Sequence, residues 1–382
     1  MRESGILMPV SSLPGPYGIG CFGAEALKFV DFLAAAGQHI WQLLPLSPTG
    51  YGDSPYQSCS AFAGNPYFID LDALKADGLL TAAQLKAEKW GDDPLSVDYG
   101  TLYTSRYKVL RAAYAAWREK YAGLHGCAHY YPDDYYAFAL ANDSWLNDYA
   151  LYMALKTANG MKSWTEWPRE YRLRDAAALA KFAAEQEEEI SFWKFLQYEF
   201  ATQWKKVKDY ANAKGVKILG DIPIYVSADS VDAWVGGELF ELDAQGGFAR
   251  VAGCPPDYFS ADGQLWGNPL YNWPYHKQTG YAWWIRRVRH ALGIYDLLRE
   301  PGFPCIHLGR RIIVPRDAMI DWLENRLQEE LNSAAKSRES NEVSVMPETE
   351  SEVDTDLPET QVREDGVYIK VLPRDMKKPQ AI

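Results

Sequence analysis

The sequence has few cysteines and no paired cysteine motif. They are scattered and odd in number, and none forms a C-x-x-C pair: Cys21, Cys59, Cys127, Cys254 and Cys305. Disulfide frameworks and structural zinc sites need regularly spaced cysteines, so neither kind of site is expected. The pattern is typical of reduced thiols in a cytoplasmic protein.

The chain is also short of positive charge and of long apolar runs. Its 51 Asp and Glu outnumber its 39 Lys and Arg, so the formal net charge is −12. Surfaces for nucleic acids or anionic membranes need clustered Lys and Arg, so neither partner is expected. The apolar run at residues 5–10 is too short for a signal peptide, and no run reaches transmembrane length.

Aromatic residues, in contrast, are abundant. There are 14 Trp and 25 Tyr, and aromatic residues make up 14% of the chain. Two interpretations stay open. The rings either fill a large core or bind sugars, because the apolar C–H face of a pyranose stacks on an indole or phenol ring. With 382 residues, the chain is long enough for several domains or for one large barrel.

The order of predicted elements favours a parallel sheet. Buried strands are predicted at 5–10, 39–46 and 216–226, and the order strand, helix, strand is typical of right-handed crossover units. The connecting helices are predicted at 24–37 and 191–214. Outside this core the sequence predicts a helical insertion over 71–190, a helix at 281–293 and the start of a fourth strand at 294–296.

Three loops rich in Gly, Pro, Ser and aromatic residues follow the predicted strands, at 11–20, 47–72 and 251–273. In a parallel α/β barrel the active site is built from loops at the carboxyl ends of the strands. Aromatic residues in such loops favour ligand contact, although a loop cluster that packs on itself is the alternative. The candidates are Tyr56, Tyr258, Phe259 and Trp266.

Five stretches occur in an order that resembles the amylomaltases, the bacterial 4-alpha-glucanotransferases of glycoside hydrolase family 77, over residues 3–296. They are SSLPGPYGIG, WQLLPLSPTGYGDSPYQSCSAFAGNPYFIDL, FLQYEFATQW, GDIPIYV and PPDYFSADGQLWGNPLYNW. The resemblance implies a (β/α)8 barrel and transfer of α-1,4-glucan segments between maltooligosaccharides, without a cofactor or metal. It also implies these substrate-binding residues: Asp221 beside the substrate, Ser54 and Tyr56 at the donor site, Tyr51 near an outer groove, and Asp257, Tyr258, Phe259 and Trp266 in a covering loop.

The catalytic carboxylates of that family have no match in this chain. Retaining transfer needs a carboxylate nucleophile and a second carboxylic acid on opposite sides of the scissile bond. The resemblance implies an R-[IL]-D-H-F-R-G motif after the fourth strand, but LLREPGF follows Asp296, and neither an A-E-D-L-G acid/base segment nor the H-D pair is present. Glu300 lies nearby with flanks that do not match, and Asp221 alone cannot be both nucleophile and acid. We therefore expect no catalytic residues and no transfer activity.

Residues 294–326 resemble a different family, the excisionase-like helix–turn–helix DNA-binding modules. The segment supplies the end of a recognition helix, a hairpin turning at Gly309 and a closing helix that starts near Asp317. The first helix and most of the recognition helix are absent, so reading of a major groove is not expected. Four arginines are either relics of phosphate contacts or ordinary solvated charges: Arg299, Arg310, Arg311 and Arg316.

The sequence thus predicts an α/β chain that contains the N-terminal part of a TIM barrel, incomplete after strand three or four, fused at about residue 296 to an excisionase-like fragment. An incomplete barrel leaves sheet edges without neighbours, which favours marginal folding or aggregation. A non-catalytic glucan-binding protein and a DNA-associated protein remain alternatives. The predicted segments are the first strands (1–70), helical insertion (71–190), barrel continuation (191–296), excisionase-like fragment (297–336) and a mostly disordered acidic tail (337–382).

Overall fold

A computed structural model describes most of the first 298 residues and a few short segments beyond them. The described residues are 4–50, 52–93, 95–122, 131–243, 247–256, 258, 260–298, 306–308, 311–313, 361–362 and 368–369. The chain divides into two compact units, residues 1–235 with 286–300 and residues 236–285 with 301–382. The predicted barrel continuation, 191–296, is therefore divided between the two units, with residues 236–285 in the second.

The strands are short, and those near the N-terminus belong to one sheet. They are β1 (Gly5–Leu7), β2 (Ile40–Gln42), β3 (Lys217–Gly220), β4 (Val251–Cys254), β5 (Gln264–Pro269), β6 (Leu297–Leu298), β7 (Ile306–Leu308), β8 (Arg311–Ile313), β9 (Gln361–Val362) and β10 (Tyr368–Ile369).

The α-helices lie mainly between β2 and β3. They are α1 (Ala24–Ala35), α2 (Leu71–Ala76), α3 (Ala82–Lys86), α4 (Tyr99–Tyr121), α5 (Asp133–Ala141), α6 (Asp143–Ala158), α7 (Arg169–Arg172), α8 (Ala176–Glu185), α9 (Glu187–Ala213), α10 (Val231–Val235), α11 (Trp273–Gln278) and α12 (Ala282–Ile294).

The first unit contains a four-stranded parallel sheet in the order β1–β2–β3–β6. The three predicted strands and their connecting helices are confirmed, although each strand is shorter than predicted. Pro9 has no amide hydrogen for a ladder and is followed by a 3-10 turn at Val10–Ser12, so β1 stops early. Among the described residues the sheet is open, with β1 and β6 at its edges, and the barrel is not closed.

The helices cover one face of this sheet. Trp41 of β2 and Ile218 of β3 are paired residues, and both are fully buried. The Trp41 ring makes an edge contact with Phe29 of α1, at 5.2 Å between centroids. The long helix α9 packs against α1, α4, α5 and α6, with Phe192 and Phe195 fully buried. Residues 71–190 contain the helices α2 to α8, while their assignment as an insertion into a barrel stays a prediction.

The fourth strand of the sheet lies later than predicted. Leu297 pairs in parallel with Leu219 and Leu298 with Gly220, whereas residues 294–296 were expected to start the strand. Tyr295 instead packs its ring on Gly220, where an added Cβ would lie 2.1 Å from the ring. The strand therefore begins only after this aromatic contact, within residues assigned to the excisionase-like fragment.

Outside the first unit, two antiparallel pairs bear on the predictions. β4 pairs with β5, so the segment 251–273 is a hairpin with a loop at its tip rather than the continuous loop predicted. β7 pairs antiparallel with β8, and the residues between these strands, Gly309 among them, lie outside the described residues, so the predicted turn stays a prediction. Within the predicted disordered tail, the structure describes only β9 paired with β10.

Candidate functional site

One predicted site loop and the end of the third predicted strand meet at one edge of the sheet in the first unit. Ser54 and Tyr56 lie in the loop that follows β2, and Asp221 comes directly after β3. Because β2 and β3 are parallel and adjacent, the segments after their carboxyl ends emerge on the same side. This edge is where α/β proteins place their ligands.

Tyr56 and Asp221 are joined by a hydrogen bond at this edge. The Tyr56 hydroxyl donates to Oδ2 of Asp221 at 2.8 Å, across 165 residues of sequence. The Tyr56 amide donates to Oγ of Ser54 at 3.3 Å, so the three predicted residues form one cluster. Tyr56 is 42% exposed, which leaves much of its ring open to a ligand. A carboxylate accepts several hydrogen bonds, so Asp221 can also accept from a hydroxyl of a ligand.

Helix α12 holds both loops from behind. The buried guanidinium of Arg287 donates to the carbonyl oxygens of Pro223 and Ile224, just after Asp221. On the same helix, His290 contacts the carbonyl oxygen of Phe62 through Nε2 at 2.8 Å. Burial lowers the pKa of His290 to about 4, so the ring is neutral near pH 7 and its N–H donates to this carbonyl. One helix thus fixes the segments after β2 and β3 relative to each other.

The loop after β2 is also anchored from α9. The Gln197 side chain accepts from the Gly64 amide at 2.7 Å and donates to the Gly64 carbonyl at 2.9 Å. An added Cβ at Gly64 would lie 2.3 Å from the Phe200 ring, so only glycine fits there. A third tie comes from Asp232, whose Oδ2 accepts from the Ala61 amide at 2.7 Å.

A small cavity lies behind Asp221 and defines where a ligand can go. Its volume is about 30 Å³, and Leu46, Ala63, Arg287 and Tyr295 are among its lining residues. Such a volume holds one water molecule and excludes a sugar ring. The Leu46 amide donates to the buried Tyr295 hydroxyl at 3.3 Å, and burial raises the pKa of Tyr295. Any ligand larger than water at this edge would therefore contact the exposed side of Asp221, beside Tyr56.

The remaining predicted residues lie elsewhere or are not described. Tyr258 is 99% exposed and Trp266, in β5, is 45% exposed; both belong to the second unit. The Trp266 indole donates to Oε1 of Gln264 at 3.1 Å. Four further residues lie outside the described residues: Tyr51, Asp257, Phe259 and Glu300.

Sequence reasoning missed the supporting residues Gln197, Asp232, Arg287 and His290. A signal was present for Gln197, a polar residue inside the apolar face of α9. In the described part of the chain, no group of three His, Cys, Asp or Glu side chains is placed to hold a metal ion. Nor is any described helix both long and apolar enough to cross a bilayer.

Comparison with known proteins decides the family. Residues 8–300 match the family described as 4-alpha-glucanotransferase. The chain belongs to this family. The resemblance over residues 3–296 is thereby confirmed, whereas the resemblance of residues 294–326 to excisionase-like modules stays a prediction.

Individual 4-alpha-glucanotransferases match over the same part of the chain. The enzyme of Clostridium butyricum is 47% identical over 298 residues, which are 78% of this chain and 59% of the relative. That of Thermus thermophilus is 45% identical over 305 residues, 79% of this chain and 58% of the relative. The amylomaltase of Streptococcus agalactiae, solved in complex with acarbose, has a TM-score of 0.74 at 42% identity, covering 80% of this chain and 61% of that one. The chain thus spans about three fifths of these relatives.

Proposed function

We propose that this chain binds α-1,4-glucans at the Tyr56–Asp221 pair and does not transfer them. The observation that carries the proposal is the 2.8 Å hydrogen bond between these side chains at the carboxyl ends of β2 and β3. The bond holds a carboxylate and a half-exposed aromatic ring side by side. A sugar needs this combination, because its hydroxyls require acceptors and its C–H face requires a ring.

The absence of transfer follows from the carboxylates that the reaction requires. Retaining chemistry uses two carboxyl groups about 5 Å apart, one as nucleophile and one as acid/base. The motifs that would supply them are not present in the 382 residues. Asp221 alone is insufficient, since one carboxyl group cannot hold both protonation states at two positions. Glucan binding without chemistry is the function that the remaining residues support.

Calorimetric titration of the full chain with maltoheptaose and, separately, with acarbose tests the binding. We expect saturable heat from the wild type and at least tenfold weaker binding from Asp221→Asn. Asp31→Asn is the matched control, because Asp31 also accepts from a tyrosine hydroxyl, that of Tyr210, at 2.7 Å on an exposed surface away from the site. Flat heats from folded wild type at millimolar glucan would refute the proposal, as would equal affinities for wild type and Asp221→Asn.

A further inference from the structure

A second, larger cavity lies in the first unit, among the helices α5, α6, α9 and α12. Its volume is about 370 Å³, and every residue that lines it belongs to that unit. Phe62, Phe200 and His290 line both this cavity and the small one behind Asp221, so the two cavities are neighbours. Cavities of roughly 300–1,000 Å³ are those in which proteins bind small organic molecules.

Aromatic rings form the deep walls of this cavity. Four of them are at most 9% exposed: Phe62, Trp145, Phe200 and Trp204. The Phe62 and Trp145 rings are nearly parallel, at 16° and 6.4 Å between centroids. His290 makes edge contacts with both, at 5.4 and 5.5 Å, and its ring is neutral near pH 7 because burial lowers its pKa. Walls of this kind favour a flat ring, which gains both face and edge contacts.

The polar side chains in the walls already bond to the protein. The Gln197 side chain uses its oxygen and its nitrogen on the Gly64 backbone. Asn142 donates to the Phe138 carbonyl at 2.9 Å and accepts from the Trp145 indole at 3.0 Å. A sugar would bring many hydroxyls that lose water here without finding partners, which costs free energy. The interior therefore suits a ligand with few polar groups.

The charges at the mouth of the cavity are paired as well. Lys205 and Asp209 are exposed and form an ion pair one turn apart on α9. Lys208 donates to the Gly293 carbonyl at 3.1 Å and lies 3.4 Å from Oδ1 of Asp296. A charged ligand would give up its hydration without gaining an unpaired partner of opposite charge.

We propose that this cavity binds an uncharged, flat aromatic molecule of about two fused rings. An apolar cavity of roughly 150 Å³ binds a single benzene ring, and this cavity has more than twice that volume. Access is from the side of its exposed lining residues, Lys205, Asp209 and Gly293. The site does not depend on glucan binding, because neither Tyr56 nor Asp221 lines it.

Calorimetric titration of the full chain with indole tests the site, and tryptamine and indole-3-acetate serve as charged analogues of the same ring. The titration is run at two temperatures, because burial of apolar surface makes the binding enthalpy depend on temperature. We expect saturable binding of indole and about tenfold weaker binding of both charged compounds. Absence of saturable heat from folded wild type up to the solubility of indole would overturn the proposal. Equal affinity for a charged analogue would overturn the uncharged class of ligand.

Ala201→Phe tests the location. Ala201 is half-buried on α9 and lines the cavity, so a phenyl ring there occupies space that the ligand needs. We expect about tenfold weaker indole binding with an unchanged circular dichroism spectrum. Ala213→Phe is the matched control, since Ala213 is exposed on the same helix, and it should bind indole like the wild type.

A smaller substitution, Ala201→Leu, covers the case in which Ala201→Phe does not fold. It should also weaken indole binding, because its side chain takes up part of the same space. Wild-type affinity for indole in either folded variant would contradict the location, as would loss of binding in Ala213→Phe.

Discussion

Replacing Tyr56 with Phe removes one hydroxyl and leaves the ring in place. The hydroxyl holds Oδ2 of Asp221 at 2.8 Å, so the variant frees the carboxylate to rotate but keeps the aromatic surface. A glucan that binds both groups should then bind more weakly. The unfolding free energy should change little, because Tyr56 is 42% exposed and water can replace the lost donor.

The size of each effect follows from the environment of the bond. A hydrogen bond to a charged group contributes about 1.5–3 kcal/mol, and solvent exposure reduces this to about 0.5–1 kcal/mol in the free protein. A bound glucan displaces that solvent, so the bond contributes about 1 kcal/mol more in the complex than in the free protein. This difference corresponds to roughly a fivefold weaker affinity for Tyr56→Phe.

Calorimetry with maltoheptaose and urea unfolding measure the two quantities on the same preparations. Tyr210→Phe is the matched control, since it removes a hydroxyl that donates to the Asp31 carboxylate at 2.7 Å. It should lower the unfolding free energy by a similar amount and leave glucan affinity unchanged. Equal glucan affinities for wild type and Tyr56→Phe would refute this reasoning. A loss of several kcal/mol in unfolding free energy would do the same, because the hydroxyl would then be structural.

Three further predictions concern stability. Burial lowers the pKa of His290 to about 4, so on acidification the unfolded protein binds a proton at this side chain before the folded protein does. The unfolding free energy from urea titrations should therefore fall by roughly 2 kcal/mol from pH 6.5 to 4. His290→Gln should make this pH dependence weaker. Burial, and to a smaller extent the charge of Asp77, raises the pKa of Glu199 to about 7. The stability contributed by the protonated carboxyl group is therefore lost as pH rises from 4.5 through 7. Glu199→Gln should raise the melting temperature at pH 8 and not at pH 4. Gly64→Ala should cost about 1–3 kcal/mol because its Cβ meets the Phe200 ring, whereas Gly293→Ala, in open space on a helix, should be neutral or stabilising; equal melting temperatures would contradict the packing.

Periodicity and turn residues were sufficient to predict most elements of the first unit. Apolar spacing located α1 and α9, and short apolar runs located β1, β2 and β3. Strand ends were overestimated because a single sequence does not reveal where ladder pairing stops.

The hairpin of β4 and β5 was not predictable in this way. Its strands contain glycine and end at Pro269, so their pairing depends on contacts between distant residues rather than on local preference. The start of the fourth strand was predicted too early for a similar reason, because it is set by the packing of Tyr295 on the distant Gly220.

The candidate site was only partly predictable for a similar reason. Loop composition and family resemblance identified Ser54, Tyr56 and Asp221, which the structure brings together. The residues that hold the loops, Arg287 and His290, lie on a helix more than sixty residues from their partners. Their hydrogen bonds go to backbone carbonyls, which carry no side-chain signature in the sequence.

Glucose release from maltotriose by the full 382-residue chain tests whether the protein transfers glucan segments. We expect no glucose above the blank from protein that binds maltoheptaose, because the motifs that would supply the two carboxylates for retaining transfer do not occur in the sequence. Release that scales with protein concentration and is lost in Glu300→Gln would contradict it, since a replacement nucleophile would then exist.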